Sequence, residues 1–340
     1  MPAAPNAFRK IVFTGKSALE MVTGPIPTPG PEELLVQTTR TLISTGTEGI
    51  VFTRNFAPGT HWDNWVKYPF HPGYLQVGKV AAVGVGVTGW NVGDRAATRT
   101  SHASHVTIKA DRVHHIPDNV ADEAATWMGL GKITQMGVRA AEHIMGDDVV
   151  IIGLGLLGQL VVQYARLMGA RRIIAIDTAP LRLEMAQSHG ATHVLPMTAA
   201  DALPRVREIT EGRLADVVYD ITGFPAVFAT ALPLARRFGK VVLLGDAGDP
   251  HQQTLTSDVV TRGVRIVAAH DGHCIAQATD RDPWTDRAVQ DLFLTYLSRG
   301  QIQVQGLITH RFKPEQAPEV YAMLQTPKRH TCMGVVFEWC

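Results

Sequence analysis

Residues 148–158 read DVVIIGLGLLG, an almost wholly apolar run followed by Gly153, Gly155 and Gly158 in the spacing Gly-x-Gly-x-x-Gly. A short continuous apolar run reads as a strand buried on both faces, which is the condition of a parallel sheet. The residues that follow, LLGQLVVQYARLMG, have the pattern of a helix closed by Gly169. A strand that turns at once into a helix needs a glycine for the tight turn. A second lets the backbone approach a ligand, and a third lets helix and strand pack closely. The alternation then repeats through RRIIAID, THVLP, DVVYDITG, KVVLLGD and VRIVAAH, with helical stretches between. About six buried strands with intervening helices predict an α/β Rossmann domain, a doubly wound parallel sheet.

A helix N-terminus behind such a turn offers unpaired backbone N–H groups to an anion, here from Leu156, Leu157 and Gly158. Asp177 ends the next strand, close to the ~20 residues downstream at which an acid bonds ribose hydroxyls. The pattern predicts a nicotinamide dinucleotide, and a carboxylate at that place favours NAD over NADP. Arg182 is the counterweight, since a guanidinium there can accommodate a 2′-phosphate. Thr222 and Gly245, which follow later strands, complete the candidate cofactor-binding set with Gly153 and Gly155.

Residues 8–120 have a different texture, with short β-prone runs separated by Gly and Pro, as in TGPIPTPGPEE. They predict a small barrel-like β domain. After residue 285 an amphipathic helix and a last strand, GVVFEW, lead back to it. The expected divisions are 1–130 for the β domain, 131–278 for the nucleotide domain and 279–340 for the return.

At 340 residues the chain exceeds one comfortable core. A formal net charge of +1 and the absence of Lys/Arg runs give no footprint for nucleic acid or an anionic membrane. No stretch approaches the ~18 apolar residues of a membrane span. Cys274, Cys332 and Cys340 are too scattered for a disulfide framework or a Cys-x-x-Cys site. The N-terminal MPAAPNAFRKIVFTGK does not resemble a secretory leader. These features predict a cytoplasmic protein that acts on small molecules.

PGYLQVGKV, VGDR, IPDNV and LARRFGKVVLLG together resemble the medium-chain dehydrogenase/reductases over nearly the whole chain. The resemblance implies a GroES-like catalytic domain, a Rossmann domain and a homodimer. It also isolates departures. Where zinc-dependent members carry a cysteine ligand, ISTGTE places Thr45; Thr47 then falls at the proton-relay hydroxyl and Glu48 at an acid behind the metal. Tyr74 and Leu75 stand where a His-Glu pair is found, and the third ligand position falls near Leu130. Thr, Tyr and Leu do not supply the donors that bind zinc tightly, and the four-cysteine structural lobe is missing. His102 and His105 are expected to be surface or hydrogen-bonded residues. No catalytic metal is therefore expected. ISTGTE with YPFHPGY resembles a metal-free branch that includes the bacteriochlorophyllide hydroxyethyl dehydrogenase and sugar or cyclitol dehydrogenases.

Without zinc, a side chain must move the proton and hold the oxygen while hydride is transferred. Tyr74 is the first candidate. An ordinary phenol titrates near pH ~10, so a neighbouring cation is needed; Lys132 is a candidate for that cation or for the acid itself. The irregular, aromatic RNFAPGTHWDNWVKYPFHPG suggests Trp62, Trp65, Tyr68 and His71 as substrate-binding residues beside Thr45, because flat rings stack on sugars and macrocycles. His270, in the loop after the sixth strand, joins them. The expected function is a zinc-independent NAD-dependent dehydrogenase of a secondary alcohol in a sugar, cyclitol or polyol. Alternatives are an NADPH-dependent quinone or enoyl reductase and a non-catalytic NAD(H)-binding protein.

Overall fold

The computed structural model describes residues 7–340; residues 1–6, part of the stretch expected to lack a secretory leader, lie outside the described residues. The chain forms two compact units, one built from the residues up to Asn55, Asn64–Gly129 and Arg287–Cys340, the other from Phe56–Asp63 and Leu130–Asp286.

The second unit is the predicted doubly wound sheet. Its six strands are parallel and lie in the order His193–Pro196, Arg172–Asp177, Asp148–Ile152, Ala215–Asp220, Ala235–Leu243, Arg265–Ala268. After Asp148–Ile152 the chain lays down two strands on one side of it, then crosses to begin the other side at Ala215–Asp220. That reversal opens a crevice at the carboxyl ends of the strands. Val150, Ile152, Ile174, Ile176, Val218 and Val241 are buried and pack with Val206, Phe228 and Leu232, in keeping with helices covering the sheet. Each such side chain contributes roughly 1.5–3 kcal/mol by leaving water.

The first unit is a mainly antiparallel sheet. Its strands are ordered Ile308–Phe312, Gly334–Glu338, Glu33–Leu42, Gln76–Val83, Arg95–Thr98, His114–His115, with His105–Lys109 also pairing with Glu33–Leu42. The expected return of GVVFEW is present: Val336 lies opposite Leu42, and Gly334–Glu338 runs parallel to Ile308–Phe312. Leu34, Val36, Val80, Ala96 and Val113 form one core cluster. Phe13, Phe52 and Tyr321 form another, with Tyr321 edge-on to Phe13 at 4.9 Å between ring centroids.

Two boundaries differ from the expected divisions. The nucleotide unit continues to Asp286 rather than 278, because buried Lys132 pairs with both Asp271 (3.0 Å) and Asp286. It also takes in residues 56–63, where the Ala57 N–H donates to the Gly248 carbonyl at 2.9 Å. Among the described residues no helix is long and apolar enough to cross a membrane.

Candidate active site

In the nucleotide unit the glycine turn is built as the spacing demands. Gly153 has φ +90°, in the region that favours glycine. A Cβ on Gly158 would meet the Gly153 carbonyl at 2.1 Å, so the helix Leu156–Leu167 sits directly on the turn. A Cβ on Gly155 would project into open space. Gly155 caps the helix with no side-chain bond to its first turn, leaving the Leu156, Leu157 and Gly158 N–H groups without intrahelical acceptors. This open cradle of donors fits a pyrophosphate.

Asp177 ends its strand with the carboxylate fixed by backbone donors, Leu154 N at 2.8 Å and Ala179 N at 2.9 Å. Arg182 lies 3.7 Å from the same carboxylate. Thr222 packs against Gly153, since a Cβ there would lie 3.0 Å from the threonine methyl, and its hydroxyl donates to Asp220 at 2.8 Å. Burial raises the Asp220 carboxyl, and the Thr222 bonds pull it back. Gly245 lies against the Ile221–Gly223 backbone, where a Cβ would come within 2.7 Å of Gly223 N. These residues fit a nicotinamide dinucleotide.

The first unit gathers a different chemistry. Pairing of Glu33–Leu42 with Gln76–Val83 continues to a bond from Leu42 N to the Leu75 carbonyl, 2.9 Å, which brings Ser44 beside Tyr74. The Tyr74 hydroxyl donates to Ser44 Oγ at 2.7 Å. Burial raises the Tyr74 phenol above its usual range; hydrogen bonds with Ser44 and Thr47 and the Arg99 charge act against this, while Glu48 adds to it. The Arg99 guanidinium carbon is 5.3 Å from the Tyr74 ring centroid.

Ser44 also caps the helix Thr45–Thr53, so Thr45 and Thr47 lie in its first turn. Glu48 turns inward, accepting from Ser44 N (2.8 Å) and from the Tyr321 hydroxyl, with His102 Nε2 at 3.0 Å. His102 is fully buried and its Nδ1 lies 2.7 Å from Thr41 Oγ1. Burial and the Glu48 carboxylate hold Tyr321 well above the ordinary phenol range, so it remains a donor.

The donor set at Thr45, Tyr74 and Leu75 does not fit a catalytic zinc, since none is a cysteine, histidine or carboxylate. Glu48 is already bound to three partners. Among the described residues no group of three His, Cys, Asp or Glu side chains could hold a metal ion. His105 bonds with Ser104 Oγ at 3.1 Å.

Lys132 is 5% exposed and lies within the nucleotide unit between Asp271 and Asp286. The aromatic candidates are dispersed. Trp62 is buried in the nucleotide unit, Trp65 is exposed and edge-on to Phe70, the Tyr68 hydroxyl donates to the Val51 carbonyl at 2.7 Å, and His71 is exposed. His270 accepts from Gly272 N at 3.0 Å. Ser44 and Arg99 were not among the residues predicted from the sequence. Arg99 belongs to no motif, and Ser44 lies inside ISTGTE without being singled out there; only the strand pairing shows that Ser44 reaches Tyr74.

With the two units described, the fold is that of the medium-chain dehydrogenases, a GroES-like β domain and a Rossmann domain. The family described as zinc-binding dehydrogenase matches residues 157–281. The chain is 28% identical to the sorbitol dehydrogenase of Bacillus subtilis (strain 168) over 275 residues, covering 71% of this chain and 76% of the relative. It is 29% identical to an L-threonine 3-dehydrogenase of Symbiobacterium thermophilum over 349 residues, 92% of each. A protein described as a short chain alcohol dehydrogenase of Escherichia coli CFT073, solved with NADH, superposes with a TM-score of 0.81 at 19% identity, covering 98% of this chain and all of the other. The chain is thus similar in sequence and in fold to oxidoreductases of the alcohol dehydrogenase type.

Proposed function

We propose that this chain is a nicotinamide-dependent dehydrogenase that oxidises a secondary alcohol of a sugar, cyclitol or related polyol, or reduces the ketone, without a catalytic metal. The observation that carries this is the Tyr74 phenol, held by Ser44 and Thr47 beneath Arg99 in place of a zinc ligand. When bound, the cofactor accepts or donates the hydride. In ketone reduction Tyr74 gives its proton to the substrate oxygen. In alcohol oxidation the phenolate takes the hydroxyl proton, and Ser44 and Thr47 stabilise it by donating to its oxygen. Asp177 favours NAD, because its carboxylate repels a 2′-phosphate.

The test is NADH formation by purified protein from NAD and a panel of polyols in the presence of a chelator. Chelator-resistant turnover supports the proposal; activity lost to the chelator and restored by zinc overturns its metal-free part. A second reading, an NADPH-dependent quinone or enoyl reductase, is favoured by Arg182 beside Asp177. A strong NADPH preference that Arg182→Ala removes would revive it, and NADPH oxidation with a quinone or an enone as acceptor would establish it. The proposal extends to a homodimer joined at the sheet-edge strand Arg265–Ala268, and light scattering that returned only the 37.0 kDa of one chain would refute that extension.

A further inference from the structure

Three polar side chains from distant parts of the sequence meet within the nucleotide unit. Asp246 follows the strand Ala235–Leu243, and His270 follows Arg265–Ala268, so both stand at carboxyl ends of the sheet. The segment Phe56–Asp63 belongs to the same unit and brings His61 to a ring-centroid distance of 5.5 Å from His270, at an interplanar angle of 82°. The Asp246 carboxyl lies within electrostatic reach of both imidazoles. Trp62 is 6% exposed and anchors the segment, whereas His61, Asp246 and His270 are exposed.

The position of these groups along the sheet matters. Asp177 ends a strand on one side of the switch point, the side that takes the adenosine ribose. Asp246 and His270 lie beyond strand ends on the other side, which leaves the reactive half of a dinucleotide to their side. Their chemistry is mixed. His270 Nδ1 accepts from Gly272 N, so the neutral ring carries its proton on Nε2 and offers a donor. Asp246 offers acceptors, and His61 can supply either. Hydroxyl groups donate and accept at once, so neighbouring hydroxyls satisfy such a set. An anionic group would be repelled by Asp246, and an unsubstituted alkyl alcohol would leave the set unused.

We propose that His61, Asp246 and His270 form a hydroxyl-reading subsite that selects substrates with additional hydroxyl groups beside the reacting carbinol. This deepens the polyol dehydrogenase proposal and rests on it.

The experiment uses full-length protein with NADH bound and measures carbethoxylation of individual histidines by diethyl pyrocarbonate, followed by peptide mass spectrometry. Sorbitol and 2-butanol are the probes, and the kcat/KM for each is measured alongside. Sorbitol is expected to slow modification of His61 and His270 several-fold, with no slowing by 2-butanol. Asp246→Asn should abolish that protection and lower the sorbitol to 2-butanol ratio of kcat/KM by about tenfold, the scale of one or two lost hydrogen bonds. Equal modification rates with and without sorbitol overturn the subsite, as does an Asp246→Asn loss that is equal for both alcohols. Protection without turnover would leave the subsite standing and remove the dehydrogenase proposal; turnover without protection would do the reverse.

Discussion

In the proposed mechanism Tyr74 carries the proton chemistry that a zinc ligand set would otherwise support, and its surroundings set how it should behave. Tyr74→Phe keeps the ring and removes the proton. It is expected to lower kcat by about 10²–10⁴-fold, the usual worth of a positioned acid or base, with NADH affinity unchanged by fluorescence titration. Burial raises the phenol, so ketone reduction, which needs the protonated form, should hold through neutral pH. Alcohol oxidation, which needs the phenolate, should rise into the alkaline range. The Arg99 cation favours the phenolate, so Arg99→Gln should move the alkaline limb of oxidation further up; a downward shift in the pH–rate profile would contradict that role. Glu48 is a different case. Its carboxylate satisfies Ser44 N, His102 and Tyr321 in the interior, so Glu48→Ala should cost about 3–5 kcal/mol in urea unfolding, as for a broken buried pair. Much of this site could be read from the sequence. Asp177 was legible from its distance to the glycines, and Tyr74, Thr47 and Glu48 from their places in short motifs. Arg99 and Asp246 were not, because their partners are reached through sheet pairing and loop packing that no local spacing encodes.

At the level of elements, the strand–turn–helix was the most legible part, since each glycine answers a separate geometric demand. The structure also separates those demands. Gly158→Ala drives a methyl into the Gly153 carbonyl, so thermal stability and NADH binding should fall together. Gly155→Ala places its methyl in the open cradle, so NADH affinity should drop at least ~10-fold with little change in melting temperature, as expected where only ligand approach is blocked. Calorimetry and NADH titration on the two variants check both. The aromatic loop was the least legible element. Its composition suggested a single substrate wall, yet Trp62 serves the nucleotide unit, Tyr68 bonds to Val51 and Trp65 leans on Phe70. Ring count alone does not say which backbone a ring will pack on.

At the scale of the whole molecule, the change of pattern near residue 130 and the return of GVVFEW were both legible, because strand alternation gives way to apolar runs and helices and then resumes. The Phe56–Asp63 excursion and the extension to Asp286 were not, since both depend on contacts made far away in sequence. The strand Gly334–Glu338 has a further consequence for the order of events during synthesis. It pairs with Glu33–Leu42, while Trp339 N donates to the Thr39 carbonyl at 3.1 Å. The nucleotide unit is complete once Asp286 has been made, but the Arg40–Leu42 end of the earlier-made strand, beyond the part paired with His105–Lys109, waits with an open edge for nearly the whole chain. A polypeptide ending at Asp286 should therefore bind NADH while trypsin cuts freely within residues 7–55; protection of that segment in the shortened chain would show that the first unit closes without its last strand.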